Sequence, residues 1–191
     1  MIFSKTEIRE IAIATLVLAF AFGNTIGGGI GGYIEALVVV LIAFLPHELL
    51  GHKYVAQRLG ADAEFRMWPT GLLLAAAGSL LGFVFAAPGA VYFSPKVRGD
   101  FAWTVHRFTK REVGMIGFAG PAVNLVIGTV SAVAGFLTGT TLLTYVAMFS
   151  FFLAFFNLLP FGPLDGQKVM AWDKRIWIVA IAMAAIGYFI L

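Results

Sequence analysis

The sequence predicts an all-α polytopic membrane protein of five to six transmembrane helices, with a re-entrant or β-hairpin segment after the second helix. Three observations carry this expectation. Of 191 residues, 60% are hydrophobic and 12% charged, with a mean hydropathy of +0.93, far from the balance of a soluble domain. Apolar runs close to the ~20 residues that a helix needs to cross the hydrocarbon core recur along the chain. The 13 Lys and Arg fall in separate groups with uncharged connections between them, which is how cytoplasmic loops of membrane proteins are marked. No change of composition divides the chain, so residues 1–191 are expected to form a single integral membrane domain. The formal charge of +3 is too small and too scattered to suggest nucleic acid as a partner. With no cysteine, disulfides, thiolate metal sites and a cysteine nucleophile are excluded, and any metal must be held by His and carboxylates.

The first span is expected over about Ile11 to Phe22, extended by Ile8. Glu7 and Glu10 flank it and no small-x-small cleavage site follows, so it reads as a retained anchor rather than a signal peptide. The second runs from about Ile34 to Ala56. Between them, "GGGIGG" (Gly27 to Gly32) fits the dinucleotide fingerprint by letter only, since it joins two apolar segments instead of a strand and a helix; it is expected to be a bent outer loop. Later spans are expected over Val113 to Leu137, Leu142 to Pro160 and Ile176 to Leu191.

The stretch Gly71 to Phe93 is apolar but ambiguous. If it enters the bilayer and returns to the same side, four basic groups (Lys5 and Arg9; Lys53, Arg58 and Arg66; Lys96 to Arg111; Lys168 to Arg175) all become cytoplasmic, together with the N-terminus. A single crossing, which gives six helices, would place the richest basic loop outside. Gly71, Gly78, Gly82, Pro88 and Gly89 supply the bends that a re-entrant element needs. His106, within that basic loop beside Trp103 and Phe108, reads as interfacial rather than as a ligand.

The chemistry concentrates in "HELLGH", His47 to His52. In H-E-x-x-H the two histidines lie four residues apart, about 40° apart around an α-helix, so both imidazoles reach one zinc and the neighbouring Glu can take a proton from the attacking water. Here the spacing is five, which on an ideal α-helix separates His47 and His52 by about 140°. A π-bulge restores the shared face by taking one extra residue into the turn; Gly51 relaxes the backbone, and Pro46 removes an amide donor just ahead of the motif. An alternative register pairs Glu48 with His52 and leaves no evident base. Charged and titratable groups at membrane depth are costly and therefore functional candidates. Zinc needs a third protein ligand plus an open position for catalysis, and the candidate is Asp165 of "NLLPFGPLDGQKV", where Pro160 and Pro163 unwind the preceding crossing and let the Asp turn back into the bundle.

These residues resemble the site-2 protease family of intramembrane zinc metalloproteases. Its members combine H-E-x-x-H on one transmembrane helix with an N-x-x-P-x-P-x-x-D-G type motif on a later one; "HELLGH" and "NLLPFGPLDG" stand in that order, and "FAGPAVN" (Phe118 to Asn124) is similar to the family's G-P-x-x-N helix. The resemblance covers about residues 34 to 170. The lengthened hexapeptide is itself similar to that of the soluble dipeptidyl peptidase III family, where the same spacing holds zinc. The resemblance to site-2 proteases implies Zn2+ as cofactor, His47, His52 and Asp165 as ligands, Glu48 as base and Asn124 as a polar group near substrate or oxyanion. It also implies a membrane-associated β-hairpin after the histidine helix, which fits Gly71 to Phe93. Asn157 and that hairpin are expected to hold the substrate as an added strand. The expected partners are a membrane-spanning protein substrate and the lipid bilayer. Two other readings stay open: a non-catalytic relative that binds membrane partners or zinc, and a small metal-handling transporter, for which no inverted repeat is visible.

Overall fold

The structure, a computed structural model, describes residues 3–27, 29–95 and 108–191. The basic loop containing Lys96, Arg98, Trp103, His106 and Arg107 lies outside the described residues. Helix α1 (Lys5–Ile26) starts where the Ser4 hydroxyl accepts from the Glu7 amide and ends at Gly27, whose φ of 70° only glycine adopts freely. Helix α2 (Gly29–Pro46) continues through a π-helix (His47–Lys53) into α3 (Tyr54–Arg58), so that 29–58 forms one rod of 30 residues. The expected glycine loop is therefore shorter than the sequence suggested. Gly29 to Gly32 already belong to α2, because the α1–α2 turn takes little chain and the Gly32 Cα sits against the Gly27 carbonyl, where a Cβ would be 1.7 Å away.

Strand β1 (Ala61–Met67) pairs antiparallel with β2 (Gly89–Pro95), Ala61 opposite Pro95 and Met67 opposite Gly89. Between them lie α4 (Pro69–Leu80) and an irregular return. The Trp68 amide donates to the Pro88 carbonyl at 2.8 Å, so the excursion 69–87 leaves and comes back at one point. The hairpin expected over Gly71 to Phe93 is thus displaced: most of that stretch is helix α4 and its return, and the strands flank it. Two registers of physics explain the shift. "ADAEFRM" alternates buried and partly exposed positions as a half-buried strand does, whereas "PTGLLLAAAGSL" carries Pro at the helix start followed by Leu and Ala.

Helix α5 (Lys110–Thr138) opens on a Thr109–Glu112 capping box and closes on Gly139 in the left-handed region. Helix α6 (Thr141–Asn157) unwinds before Pro160, as the prolines require, and is followed by α7 (Asp165–Trp172) and α8 (Lys174–Ile190). Among the described residues, 29–58 and Lys110–Thr138 are long and apolar enough to cross a membrane. Helices α1, α5 and α8 expose large apolar side chains, among them Leu16, Val126, Val130, Ile178 and Phe189, which water would disfavour.

The first helix also reaches the sheet and the π-helix. Glu7 is fully buried; one of its oxygens accepts from the Phe65 amide at 2.9 Å and the other meets Lys53 Nζ, itself fully buried. Glu10 accepts from the Met67 amide at 3.0 Å. The outer edge of β1 is therefore capped by carboxylates of α1, and the residue after His52 is held by the same helix.

Candidate metal centre

The seven-residue π-helix takes up the extra residue of "HELLGH". Its i to i+5 closure stacks His47 above His52 instead of setting them on different faces, and the rings meet edge to face with centroids 4.7 Å apart. Pro46, in helical conformation at the junction, cannot donate back into α2. Gly51 faces α5: a Cβ there would lie 2.6 Å from the Gly120 Cα. The two backbones touch at that point, which brings α5 against the histidines.

His47 Nε2 and His52 Nε2 are 3.0 Å apart, and His52 Nε2 is 3.0 Å from Asp165 Oδ2. The three candidate ligand atoms lie within 4.8 Å of one another and all three residues are buried. Asp165 arrives there because the first turn of α7 packs on the end of α6; a Cβ on Gly166 would be 2.1 Å from the Leu158 carbonyl. His52 Nδ1–H donates to the Ile116 carbonyl at 2.8 Å, so Nε2 faces the centre and carries the lone pair when the ring is neutral. Lys168 Nζ donates to Asp165 Oδ1 at 2.8 Å and occupies the oxygen that does not face the histidines. Burial opposes ionisation of Asp165, but the His52 ring and the Lys168 ammonium outweigh it and hold the carboxyl below the usual carboxylate range.

These residues fit a zinc ion. Two imidazoles and a carboxylate are a known donor set for catalytic zinc, and bonds of ~2.0–2.1 Å in a tetrahedron put neighbouring ligand atoms about 3.3 Å apart, close to the 3.0 Å separations found. Gly120 leaves room beside them: a Cβ there would stand 2.2 Å from His52 Nε2 and 2.7 Å from His47 Nε2. Glu48, 4% exposed, has an Oε2 with no hydrogen-bond partner among the described residues and lines the same cleft as His52, Asp165, Lys168 and Asn157. The alternative Glu48–His52 ligand pair is not the cluster formed. Asn124 is fully buried, and its amide nitrogen lies 3.1 Å from His47 Nδ1. Like His47, it is not among the residues lining the cleft; the amide stands beside the histidine. Asn157 does line the cleft, and its Nδ2 donates to the Leu153 carbonyl at 3.0 Å.

Sequence reasoning missed Lys168 and Gly120. The Asp165-x-x-Lys168 spacing at a helix start was a readable sign of the first. Nothing local to Gly120 marks the second, since its role depends on which helix crosses it.

A buried pair of histidines joined to a distant aspartate, beside a glutamate whose Oε2 has no partner among the described residues, is the donor arrangement of a metallohydrolase type of site. Over 192 aligned residues the chain is 36% identical to the Methanocaldococcus jannaschii protein named "Putative zinc metalloprotease MJ0611", covering 97% of this chain and 94% of that one. It is 26% identical over 179 residues to "Putative zinc metalloprotease Rip3" of Mycobacterium tuberculosis, covering 84% of this chain but only 38% of the relative. No family model and no solved structure matches. The chain belongs to this family of zinc metalloproteases, in keeping with the site-2 protease resemblance, and zinc is the metal that its His47, His52 and Asp165 cluster fits.

Proposed function

We propose that the protein is an intramembrane zinc metalloprotease that hydrolyses peptide bonds of membrane-embedded protein substrates. The observation that carries the reading is the convergence of Asp165 with His47 and His52 on a rod apolar enough to span a bilayer, beside Glu48, whose Oε2 has no partner among the described residues. Zinc, when bound, supplies a Lewis acid that polarises a carbonyl and activates water at neutral pH. His47, His52 and Asp165 hold it, and Glu48 takes the proton of the attacking water and passes it to the leaving amine. Glu48 Oε2 is buried and has no competing donor among the described residues. The inserted residue of "HELLGH", the main argument for a non-catalytic relative, is absorbed by the π-helix.

The sheet supports a way of presenting substrate. Phe65 and Met67 turn their amides to α1, and Trp68 bonds to Pro88, so Glu64–Tyr92 and Arg66–Ala90 are the hydrogen-bonded pairs of the ladder. The backbone groups of Gly89, Val91 and Phe93 then face the other edge, on the strand that lines the cleft. An extended substrate segment adds to that edge, with Asn157 at its far wall. Such a segment must unwind from a helix, which suits a site where water meets the bilayer. The N-terminus and the basic groups face the cytoplasm in this reading, as expected from the charge distribution, and the closed excursion 69–87 is compatible with that arrangement.

The test is proteolysis in liposomes. Purified protein loaded with zinc is reconstituted with a single-span substrate and cleavage is followed by mass spectrometry. The wild type cleaves within or beside the span, while Glu48→Gln binds zinc normally and loses at least ~100-fold in rate. Cleavage that survives unchanged in Glu48→Gln sinks the mechanism.

A further inference from the structure

Two buried side-chain atoms of this centre lack partners among the described residues: Glu48 Oε2 and Asn124 Oδ1. Glu48 has a role in the proposed chemistry. Asn124 stands beside His47, its amide nitrogen 3.1 Å from Nδ1, and neither residue is among those lining the cleft. We propose that Asn124 is a positioning residue: its carboxamide oxygen receives the Nδ1–H of His47 and so frees Nε2 to ligate zinc. This deepens the proposed function and rests on its ligand assignment.

A neutral imidazole carries one proton. If that proton is on Nε2, the nitrogen facing His52 and Asp165 cannot bind a cation; if it is on Nδ1, Nε2 is a ligand, and Nδ1–H requires an acceptor. His52 meets this condition through the Ile116 carbonyl at 2.8 Å. His47 has Asn124 at 3.1 Å from Nδ1. With the amide nitrogen forward, as in the structure, Asn124 donates to Nδ1 and places the proton on Nε2. A half-turn of the carboxamide about its last bond exchanges two atoms of similar size, brings Oδ1 forward and reverses the choice. The half-turn gives the unpartnered oxygen its hydrogen bond and carries the amide nitrogen to the position that the oxygen leaves. Asn124 thus allows either proton position on His47 with no backbone movement. Partners of metal-bound histidines typically fix ring orientation and raise ligand basicity in this way. Gly120, one turn earlier on α5, is a competing acceptor, its backbone already within hydrogen-bonding reach of the His47 ring.

The sequence-based expectation placed Asn124 at a developing oxyanion, and the two roles separate in Asn124→Asp and Asn124→Leu. Aspartate accepts but does not donate. As a positioning partner it serves, so Asn124→Asp is expected to keep zinc affinity within a few-fold of wild type, with the wild-type cobalt(II) absorption spectrum and with proteolysis retained. Asn124→Leu, eluting as the wild type on gel filtration, is expected to lose 10- to 100-fold in zinc affinity by chelator competition and to shift the cobalt(II) bands. Wild-type zinc affinity in the Leu variant overturns the proposal, since the Gly120 carbonyl would then suffice. Zinc retained but proteolysis abolished in the Asp variant also overturns it, in favour of a donor at the oxyanion. If the Leu variant fails to fold, the Asp variant decides alone. Failure of the underlying assignment is distinguishable: His47→Ala would then bind zinc as well as the wild type.

Discussion

Gly120→Ala is the sharpest perturbation of the centre, because the structure fixes its size. The added methyl would stand 2.2 Å from His52 Nε2 and 2.7 Å from His47 Nε2, where ordinary contact begins at 3.4 Å. One imidazole must retreat by about 1.2 Å, or α5 must move away from the π-helix by a similar distance. The second route is opposed by the Gly51–Gly120 backbone contact, since a methyl on Gly120 meets the histidines first. Ligand constellations tolerate displacements of only about 0.5 Å. Overpacking of this kind costs about 1–3 kcal/mol, which corresponds to roughly 5- to 150-fold in affinity if it falls on the metal-loaded state. The assay is zinc affinity by chelator competition in detergent, with thermal unfolding in parallel. Gly139→Ala is the control. Its φ of 69° makes Ala unfavourable by about 1–2 kcal/mol, but its Cβ meets nothing, so stability should fall and zinc affinity should not. Wild-type zinc affinity in Gly120→Ala would refute the reasoning.

Other expectations follow from the same geometry. Lys53→Met leaves Glu7 buried beside an apolar chain and should destabilise the protein by about 3–5 kcal/mol, with Glu7→Gln in the Lys53→Met background recovering much of that; equal losses in the single and double variants would show that the pair does not act as a unit. Val91→Pro removes an amide from the free edge of β2 and should slow cleavage of an intact substrate at least ~10-fold while leaving zinc affinity unchanged, and unaltered kinetics would remove strand addition from the account. Lys168→Met uncovers Asp165 Oδ1 and should weaken zinc binding by about tenfold; an unchanged constant would show that the ammonium does not support the ligand.

Much of this centre was readable from spacing because membrane chemistry narrows the choices. His47, Glu48 and His52 stand out in an apolar run, and the five-residue interval of the two histidines itself calls for a π-turn. Pro160 and Pro163 foretell the unwinding that returns Asp165. The sheet was harder. "ADAEFRM" carries the alternation of a strand, but its partner is set by Trp68 and Pro88 meeting across an excursion whose hydropathy alone allows helix or strand. The buried Glu7 was read as a flanking charge because its partners, Lys53 and the Phe65 amide, are more than 40 residues distant. Asn124 was recognised by its motif and expected near substrate or oxyanion; helical periodicity places it on a face of α5, while only packing reveals that its amide lies beside His47.

X-ray absorption at the zinc edge of the reconstituted protein, combined with anomalous diffraction from crystals, tests the central claim most directly. The account predicts one zinc with two imidazole nitrogens and one carboxylate oxygen at about 2.0–2.1 Å, located between His47, His52 and Asp165. A zinc bound by Glu48 and His52 without His47, or one lying elsewhere in the chain, would contradict it.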